Sequence, residues 1–321
     1  MRNVSYYQKG KIRRDDIQSD TIQTALLFMK VGMTTEKQTE GLVKAAVQGS
    51  RDALEELVRR IQDPVYSLSL RMLLNRQDAE DATQEIIIRV ITHLRTYRFE
   101  GSFRAWVLRI AVNKLLTVRK TFAEKKMAAI EDLDGILDRH EARGWLARPL
   151  DAPEPYLEVE TRAICIHAIL SALNRSRRLA FILGVVIGVN SQEGARILEI
   201  SPDTYRQRLS RARARIQGFL ANNCGIIDDA NRCHCHGILP GYVKQGWIHP
   251  DKPMFSDKHG TKGEPARLGD YLREMDELGQ ITALYRSVAP SSPDFVAMVK
   301  EIYDDRRYRI LADPQIGAGH S

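Results

Sequence analysis

Two helices separated by a short turn can be read in the stretch Gly188-Val-Asn-Ser-Gln-Glu-Gly-Ala-Arg-Ile-Leu-Glu-Ile-Ser-Pro-Asp-Thr-Tyr-Arg-Gln-Arg-Leu-Ser-Arg-Ala-Arg-Ala-Arg-Ile216. Ser191 can cap a first helix that ends at Leu198, and Pro202 fits the first turn of a second helix. Residues 199–201 form the break between them. Apolar residues fall at helical spacing and can be buried together: Ile197, Leu198, Ile200, Leu209 and Ile216. The pattern predicts a helix-turn-helix.

Arginine dominates the charge around this motif. Between Ser171 and Gly218 there are nine arginines, no lysine and three acidic residues. Arginine suits bidentate contacts with phosphate or guanine, and a recognition helix enters the major groove by its N-terminal part. The candidate base-reading residues are therefore Asp203, Thr204, Tyr205, Arg206 and Arg208, with Arg211 and Arg213 as backbone contacts. The alternative is an amphipathic helix with a solvated basic face.

Composition sets the broad class. The chain has 321 residues, 43% of them hydrophobic and 7% aromatic, with a net charge of +7. Helix-period patterns dominate, so we expect an all-α protein of two or three domains. The longest apolar run, Ala180–Val189, is too short to span a bilayer, and no signal peptide is recognisable. We therefore expect a cytoplasmic protein with no membrane partner.

A run of helices is predicted between residues 40 and 121, each with a start signal. The predicted starts are Ser50 or Asp52, Pro64, Asp78 and Ser102, and the third and fourth helices run to Leu94 and about Thr121. The segment Tyr97–Gly101 interrupts the helical pattern.

Two stretches in this order resemble the extracytoplasmic-function (ECF) sigma factors of bacterial RNA polymerase. Asp78-Ala-Glu-Asp-Ala-Thr-Gln-Glu85, followed by Phe99-Glu-Gly-Ser-Phe-Arg-Ala-Trp-Val-Leu-Arg-Ile-Ala-Val-Asn-Lys-Leu115, is similar to their region 2, and the helix-turn-helix is similar to their region 4. The resemblance covers roughly residues 40–222. Gly194 and Glu199 depart from it, because the family often has a bulky apolar residue and a glycine there.

The resemblance implies roles for region 2. An outward acidic stripe, Asp78, Asp81, Gln84 and Glu85, would dock on the clamp of the polymerase largest subunit. A loop of aromatic and arginine residues would melt the minus-ten element and hold a flipped base. The residues implied for minus-ten DNA are Arg98, Phe99, Gly101, Ser102, Arg104, Asn113, Lys114 and Arg119. Phe103 and Trp106 are better explained as core.

These motifs divide the chain into an arm (1–38), region 2 (39–121), a linker (122–160), region 4 (161–222) and a C-terminal extension (223–321). The expected fold is two small helical domains joined by a flexible acidic linker, since residues 122–160 hold ten acidic and five basic side chains. By resemblance the linker mimics RNA in the polymerase; the alternative is a plain tether. The extension should carry two helices, near Pro265–Ser287 and Pro293–Asp304.

The extension also contains a cysteine segment. Cys224, Cys233 and Cys235 could converge with His234 or His236 on zinc or another soft divalent metal. The alternatives are a redox-responsive thiol group and inert cysteines. Cys165 is predicted to be a small buried hydrophobe.

The sequence thus predicts a sigma factor that needs no cofactor for promoter recognition and is not an enzyme. Its implied partners are core RNA polymerase, through the largest-subunit clamp and the beta flap, promoter DNA and an anti-sigma factor. One alternative is a helix-turn-helix regulator that binds DNA alone, which would need no region 2. Another is a zinc hydrolase or deaminase, which would need a glutamate in a His-x-Glu setting, and the cysteine segment has none.

Overall fold

The computed structural model describes residues 36–118, 133–144, 154–255, 275, 277–287 and 292–304. The arm before residue 36, including the helix predicted near Thr21–Met29, and Arg119 lie outside this part. The helices are α1 (36–47), α2 (Arg51–Leu73), α3 (Arg76–Thr92), α4 (Phe103–Thr117), α5 (Leu133–Ala142), α6 (Pro155–Ser171), α7 (Arg175–Phe181), α8 (Ser191–Leu198), α9 (Pro202–Asn223), α10 (Cys235–Lys244), α11 (Glu277–Arg286) and α12 (Phe295–Asp304). Extended pairing within the described ranges is limited to one isolated bridge, Cys224–Cys233. The all-α prediction is confirmed.

Helix α2 passes through Pro64, which was predicted to start a separate helix. Ser50 caps α2, because its hydroxyl accepts a hydrogen bond from the Ala53 N–H at 3.3 Å. A proline inside a helix costs about 3 kcal/mol. On either side of it, Ile61 and Val65 are buried, and each such side chain contributes about 1.5–3 kcal/mol. Burial along the whole helix therefore outweighs the proline penalty, and the prediction of a break is wrong.

Helices α3 and α4 begin at side-chain caps. Asn75, rather than Asp78, caps α3: its Oδ1 accepts from the Asp78 N–H at 2.9 Å, which places Asp78 in the first turn. Ser102 caps α4 as predicted, accepting from the Ala105 N–H at 3.0 Å. Helix α4 ends at Thr117, before the predicted end at Thr121.

Helix α5 lies within the segment predicted to be a flexible linker. Its acidic side chains hold the cysteine segment: Asn223 Nδ2 donates to Asp134 Oδ1 at 2.7 Å, and Arg232 pairs with Asp138 at 2.5 Å. Helix α6 also begins inside the predicted linker, at Pro155. A tether without regular structure is therefore wrong for α5 and for the start of α6.

Helices α6 to α9 form the second helical unit, and the predicted bounds of the helix-turn-helix are confirmed at α8 and at the start of α9. The cap of α8 is Asn190 rather than Ser191, because Asn190 Oδ1 accepts from the N–H groups of Gln192 and Glu193 at 3.0 and 2.9 Å. Helix α7 continues as a π-helical turn over Ile182–Ile187. Glu199 ends α8 in the left-handed conformation, with φ of 53°.

The late helices of the extension overlap the predicted ones, at α11 and α12. They pack against the first unit at α2 and against the π-helical turn of the second. Within the described ranges, no helix has the length and apolar content to cross a membrane.

Candidate nucleic-acid interface

The N-terminal half of α9 presents a basic, exposed face. Asp203, Arg206 and Arg211 are exposed, whereas Thr204, Arg208 and Arg213 are half-buried. Arg206 forms an ion pair with Asp203 one turn earlier, and both side chains are more than half exposed. An exposed pair contributes only about 0.2–1 kcal/mol, so Arg206 can exchange this partner for a base or a phosphate at little cost.

Tyr205 does not belong to this face, and its predicted base-reading role is wrong. The side chain is buried, its hydroxyl donates to the Ala180 carbonyl at 3.3 Å, and burial raises its pKa. A Cβ atom on Gly194 would lie 2.3 Å from Tyr205 Cζ. The glycine that departs from the family pattern therefore makes room for the tyrosine ring between α8 and α9.

The loop before α4 holds an exposed aromatic side chain. Phe99 has φ of 58° and is 40% exposed, with its ring 4.7 Å from the ring of Tyr97 and 5.3 Å from the ammonium of Lys44. Tyr97 is buried, and its hydroxyl donates to the Gly101 carbonyl at 2.5 Å. A left-handed phenylalanine costs about 1–3 kcal/mol and persists only where its surroundings fix it. The loop thus holds a stacking surface, with Arg98 exposed beside it.

The aromatic residues that follow belong mainly to the core, as predicted. Phe103 is buried, and its ring stacks on that of Trp106 with centroids 5.7 Å apart. Trp106 is half-buried and also contacts Tyr97, at 5.5 Å. These rings support the loop from beneath.

The same loop and α4 lie directly against the helix-turn-helix. Ser102 Oγ donates to Glu193 Oε1 at 2.9 Å, and Arg104 donates to the Ile187 carbonyl at 3.0 Å. Arg109 pairs with Glu199, in the turn between α8 and α9, at 2.5 Å. Two predicted minus-ten residues, Ser102 and Arg104, are therefore bonded to the second helical unit in this arrangement.

Comparison with known proteins identifies both units. Residues 57–121 match the family described as sigma-70 region 2, and residues 163–216 match sigma-70 region 4. The ECF RNA polymerase sigma factor SigE of Mycolicibacterium smegmatis is 31% identical over 55% of this chain and 65% of its own length. The chain thus spans just under two thirds of this relative.

Both helical units of this chain thus match the sigma-70 family, in the order region 2 and region 4. The RNA polymerase sigma-H factor of Pseudomonas aeruginosa is 25% identical over 59% of this chain and 96% of its own length. The solved structure of CnrH with the cytosolic domain of CnrY aligns with 56% of this chain and 95% of that chain, at 20% identity and a TM-score of 0.41.

The predicted acidic stripe lies on α3. Asp78, Asp81, Gln84 and Glu85 are all exposed, as the prediction required. Glu85 pairs with Lys114 of α4, which is mostly covered, while Asn113 beside it is exposed. Lys114 is therefore tied to the acidic stripe, and only Asn113 of this pair is open to DNA.

The cysteine segment lies beyond both family matches. Backbone bonds link its two ends, with Gly225 N–H donating to the Cys233 carbonyl at 2.9 Å and Cys233 N–H to the Asn223 carbonyl at 3.1 Å. Burial raises the pKa of the Cys224 and Cys235 thiols, and it raises that of Cys233 to about 12. Across the described ranges, no three Cys, His, Asp or Glu side chains are arranged to hold a metal ion. The structure therefore does not support the predicted metal site at Cys224, Cys233, Cys235 and His236; the ring of His236 stacks on His234 instead.

The C-terminal extension contacts both region 2 and region 4. From α11, Arg286 donates to the Val185 carbonyl of region 4 at 3.0 Å, and the Tyr285 carbonyl accepts from Arg71 of region 2 at 3.3 Å. Tyr285 itself is fully buried. From α12, Lys300 pairs with Glu55 of α2 at 3.2 Å. No local pattern in the sequence indicates these contacts, because each joins positions more than a hundred residues apart.

Proposed function

We propose that this sigma factor directs core RNA polymerase to promoters by placing α9 on the minus-thirty-five duplex. The observation that supports this role is the exposed basic face at the start of a helix that follows an ordered turn. The residues proposed to read bases are Asp203, Thr204, Arg206 and Arg208, and those proposed to contact the backbone are Arg211 and Arg213. We expect the protein to act in the cytoplasm, where its polymerase is.

Region 2 supplies the minus-ten contacts in this proposal. Arg98 and Phe99 offer an exposed guanidinium and an exposed ring on which an unstacked base can pack. Gly101, Ser102, Arg104 and Asn113 would follow along the loop and α4. The exposed stripe on α3 would pair with basic side chains of the polymerase clamp, which favours rate and specificity of docking. The beta flap and an anti-sigma factor are further proposed partners.

The observed arrangement is a closed form that must open before both promoter elements are read. Elements about 25 base pairs apart lie roughly 80 Å apart along B-form DNA, at about 3.4 Å per base pair. Ser102 and Glu193, which belong to the two reading regions, are 2.9 Å apart. No bending of a short duplex brings the two elements into such contact, since smooth bending by 40–90° already costs several kcal/mol.

We propose that the extension stabilises this closed form. Its helices contact region 2 through Arg71 and Glu55 and region 4 through Val185, so separating the regions breaks contacts on at least one side. Polymerase and DNA would bind the open form better and shift the population toward it. The contacts of the extension then determine how much binding free energy is needed to open the molecule.

Reconstitution with core polymerase tests the function. The sigma factor and core enzyme should start transcription on a double-stranded promoter, and an artificially melted minus-ten region should reduce the need for region 2 contacts. If no complex forms with core enzyme, the sigma function fails for this chain. If Arg98→Ala and Phe99→Ala lower transcription equally on melted and unmelted promoters, their proposed role in melting is wrong.

A further inference from the structure

A cavity of about 720 Å³ lies beneath the cysteine segment. Its walls come from the linker helix α5, from α6 and α9 of region 4, and from α10 and the loop after it. Ligand sites for small molecules commonly measure about 300–1,000 Å³ and are mostly apolar, with a few placed polar groups. The cavity falls within that range.

The loop that closes the cavity is fixed to α6. The Glu160 carboxylate accepts from the N–H groups of Met254 and Phe255 at 2.6 and 2.8 Å. Tyr156 donates to the Pro250 carbonyl at 3.2 Å. These bonds hold Met254 and Phe255 as part of the wall, so the cavity is a built feature of the fold.

His167 gives this wall an unmet hydrogen-bond acceptor. Its Nδ1 lies 2.7 Å from the Ala163 carbonyl, which can only accept, so Nδ1 carries the proton. Burial, with help from the Arg71 charge, lowers the His167 pKa to about 3 and keeps the ring neutral. Nε2 is buried and has no partner among the described residues. A buried acceptor left unpaired is costly, and a ligand N–H or O–H would satisfy it.

The charge along the cavity is positive. Arg139 lines it from α5 and Arg143 from the turn that follows α5. Burial lowers the pKa of His140, and the charges of Arg143 and Arg139 lower it further. None of the described residues in the lining is aspartate or glutamate. An anionic group on a ligand would therefore meet the guanidiniums of Arg139 and Arg143 at this end of the cavity.

The cysteines contribute apolar surface to the same wall. Cys165, Cys224 and Cys233 line the cavity, and burial raises the pKa of each thiol, so all three are neutral. A neutral buried thiol behaves as a small hydrophobe. The cysteine segment thus has a use as the wall of a pocket that needs no metal.

We infer that this cavity binds an amphipathic organic anion, a molecule with an apolar body, one N–H or O–H donor for His167 and an acidic group for Arg139 and Arg143. Because the walls join the linker, region 4 and the extension, the occupant contacts all three. The site lies apart from the DNA-reading face and goes beyond the proposed promoter function.

Two dyes that differ by one sulfonate group test the site on the full chain. 8-Anilinonaphthalene-1-sulfonate has an aromatic body, an amine N–H and a sulfonate, and N-phenyl-1-naphthylamine lacks the sulfonate. We expect saturable binding of one anionic dye per chain, about tenfold tighter than the neutral dye, the ratio that one charge-assisted contact gives.

Variants assign the binding to the cavity. Arg139→Gln with Arg143→Gln should abolish the preference for the anionic dye, whereas Lys244→Gln, an exposed residue of α10 outside the lining, should leave it unchanged. His167→Phe should weaken both dyes about tenfold, and Ile164→Trp, which fills the cavity, should prevent binding of either. Near-UV circular dichroism checks that each variant is folded.

The inference is overturned if both dyes bind equally well, if binding is not saturable, or if the cavity variants leave it unchanged. A dye that binds the native site must also raise the melting temperature. A dye that binds loosened protein would lower it, which would equally overturn the inference. Because these measurements need neither polymerase nor DNA, their failure would leave the promoter function untouched.

Discussion

The two proposed DNA-reading surfaces differ in what covers them. On α9, Asp203, Arg206 and Arg211 are exposed, and the nearest bond to Arg206 is a surface ion pair. On the minus-ten surface, Ser102 and Arg104 are bonded to region 4 itself. In the closed form the proposed duplex-reading face is thus exposed. Two residues of the proposed minus-ten surface are instead hydrogen-bonded to region 4.

This difference separates the two steps of promoter recognition physically. We expect contacts with a minus-thirty-five duplex to form without moving region 2, because Asp203, Arg206 and Arg211 are exposed while α4 packs against α8. Minus-ten contacts require the hydrogen bonds of Ser102 and Arg104 to be exchanged for DNA. Melting would therefore follow opening of the two regions, and the following experiments challenge that order.

The largest expected effect is on stability, through the packing of α9 against α8. Gly194→Ala should lower the free energy of unfolding by about 1–3 kcal/mol, because its Cβ would overlap the Tyr205 ring. The matched control, Gly218→Ala, has open space around its position in α9 and should raise stability by about 1 kcal/mol. Urea denaturation followed by circular dichroism measures both.

A double variant sharpens this result. Tyr205→Leu removes the ring, so its combination with Gly194→Ala should cost less than the sum of the single changes, as contacting residues couple. Strictly additive losses would mean that the ring does not fill the space above Gly194.

The positions of Gly194 and Tyr205 show where sequence reasoning stops. The bounds of α8 and the start of α9 were predictable, since apolar spacing, a turn and a proline encode them locally. The burial of Tyr205 was not predictable, because it depends on the absence of a side chain at Gly194, across the turn. The exposure of Arg206 and Arg211 on the same helix was predictable, since burying a charge without a partner is costly. Arg208 and Arg213, predicted to project outward as well, are half-buried.

The covering of the minus-ten loop was also beyond the sequence. The residue types of Tyr97–Trp106 indicated a base-binding loop, and Phe103 was correctly placed in the core. The contact of Ser102 with Glu193 joins positions 91 residues apart, and no local pattern indicates such a pairing. Helix α5 was missed for a related reason: its acidic residues indicated a solvated tether, whereas Asp134 and Asp138 bind Asn223 and Arg232.

The next effect tests the exposed surface. Arg206→Ala or Arg208→Ala should weaken binding to a minus-thirty-five duplex selected in vitro by about 1–3 kcal/mol for each lost bidentate base contact. Tyr205→Phe should leave base preference unchanged and cost only about 1 kcal/mol of stability through its lost hydrogen bond. Competition binding with base-substituted duplexes distinguishes these outcomes. A change of preference in Tyr205→Phe would restore it as a base reader.

A smaller effect tests the covered surface. Arg109→Glu replaces the ion pair with Glu199 by a repulsion and should raise the ratio of open to closed molecules by up to about fivefold, since exposed pairs contribute about 0.2–1 kcal/mol. The charge swap Arg109→Glu with Glu199→Arg should restore the original ratio. Energy transfer between dyes placed at Arg95 and Ser210 through non-natural amino acids reports the separation. Equal opening in the single and swapped variants would show that this pair does not hold the regions together.

Salt should have the smallest effect, and its size separates surface pairs from buried contacts. Screening shortens from about 10 Å at 0.1 M to about 3 Å at 1 M salt, which weakens exposed pairs such as Arg109–Glu199. The contacts of Arg178 with the Met72 carbonyl, at 3.0 Å, and of the buried Tyr285 are shielded from ions. The same dye pair, measured without DNA, should therefore report less than about a twofold rise in open molecules, since only the exposed pairs are weakened. Opening of tenfold or more would mean that surface charge alone closes the molecule, and the extension would then have no part in keeping the minus-ten loop covered.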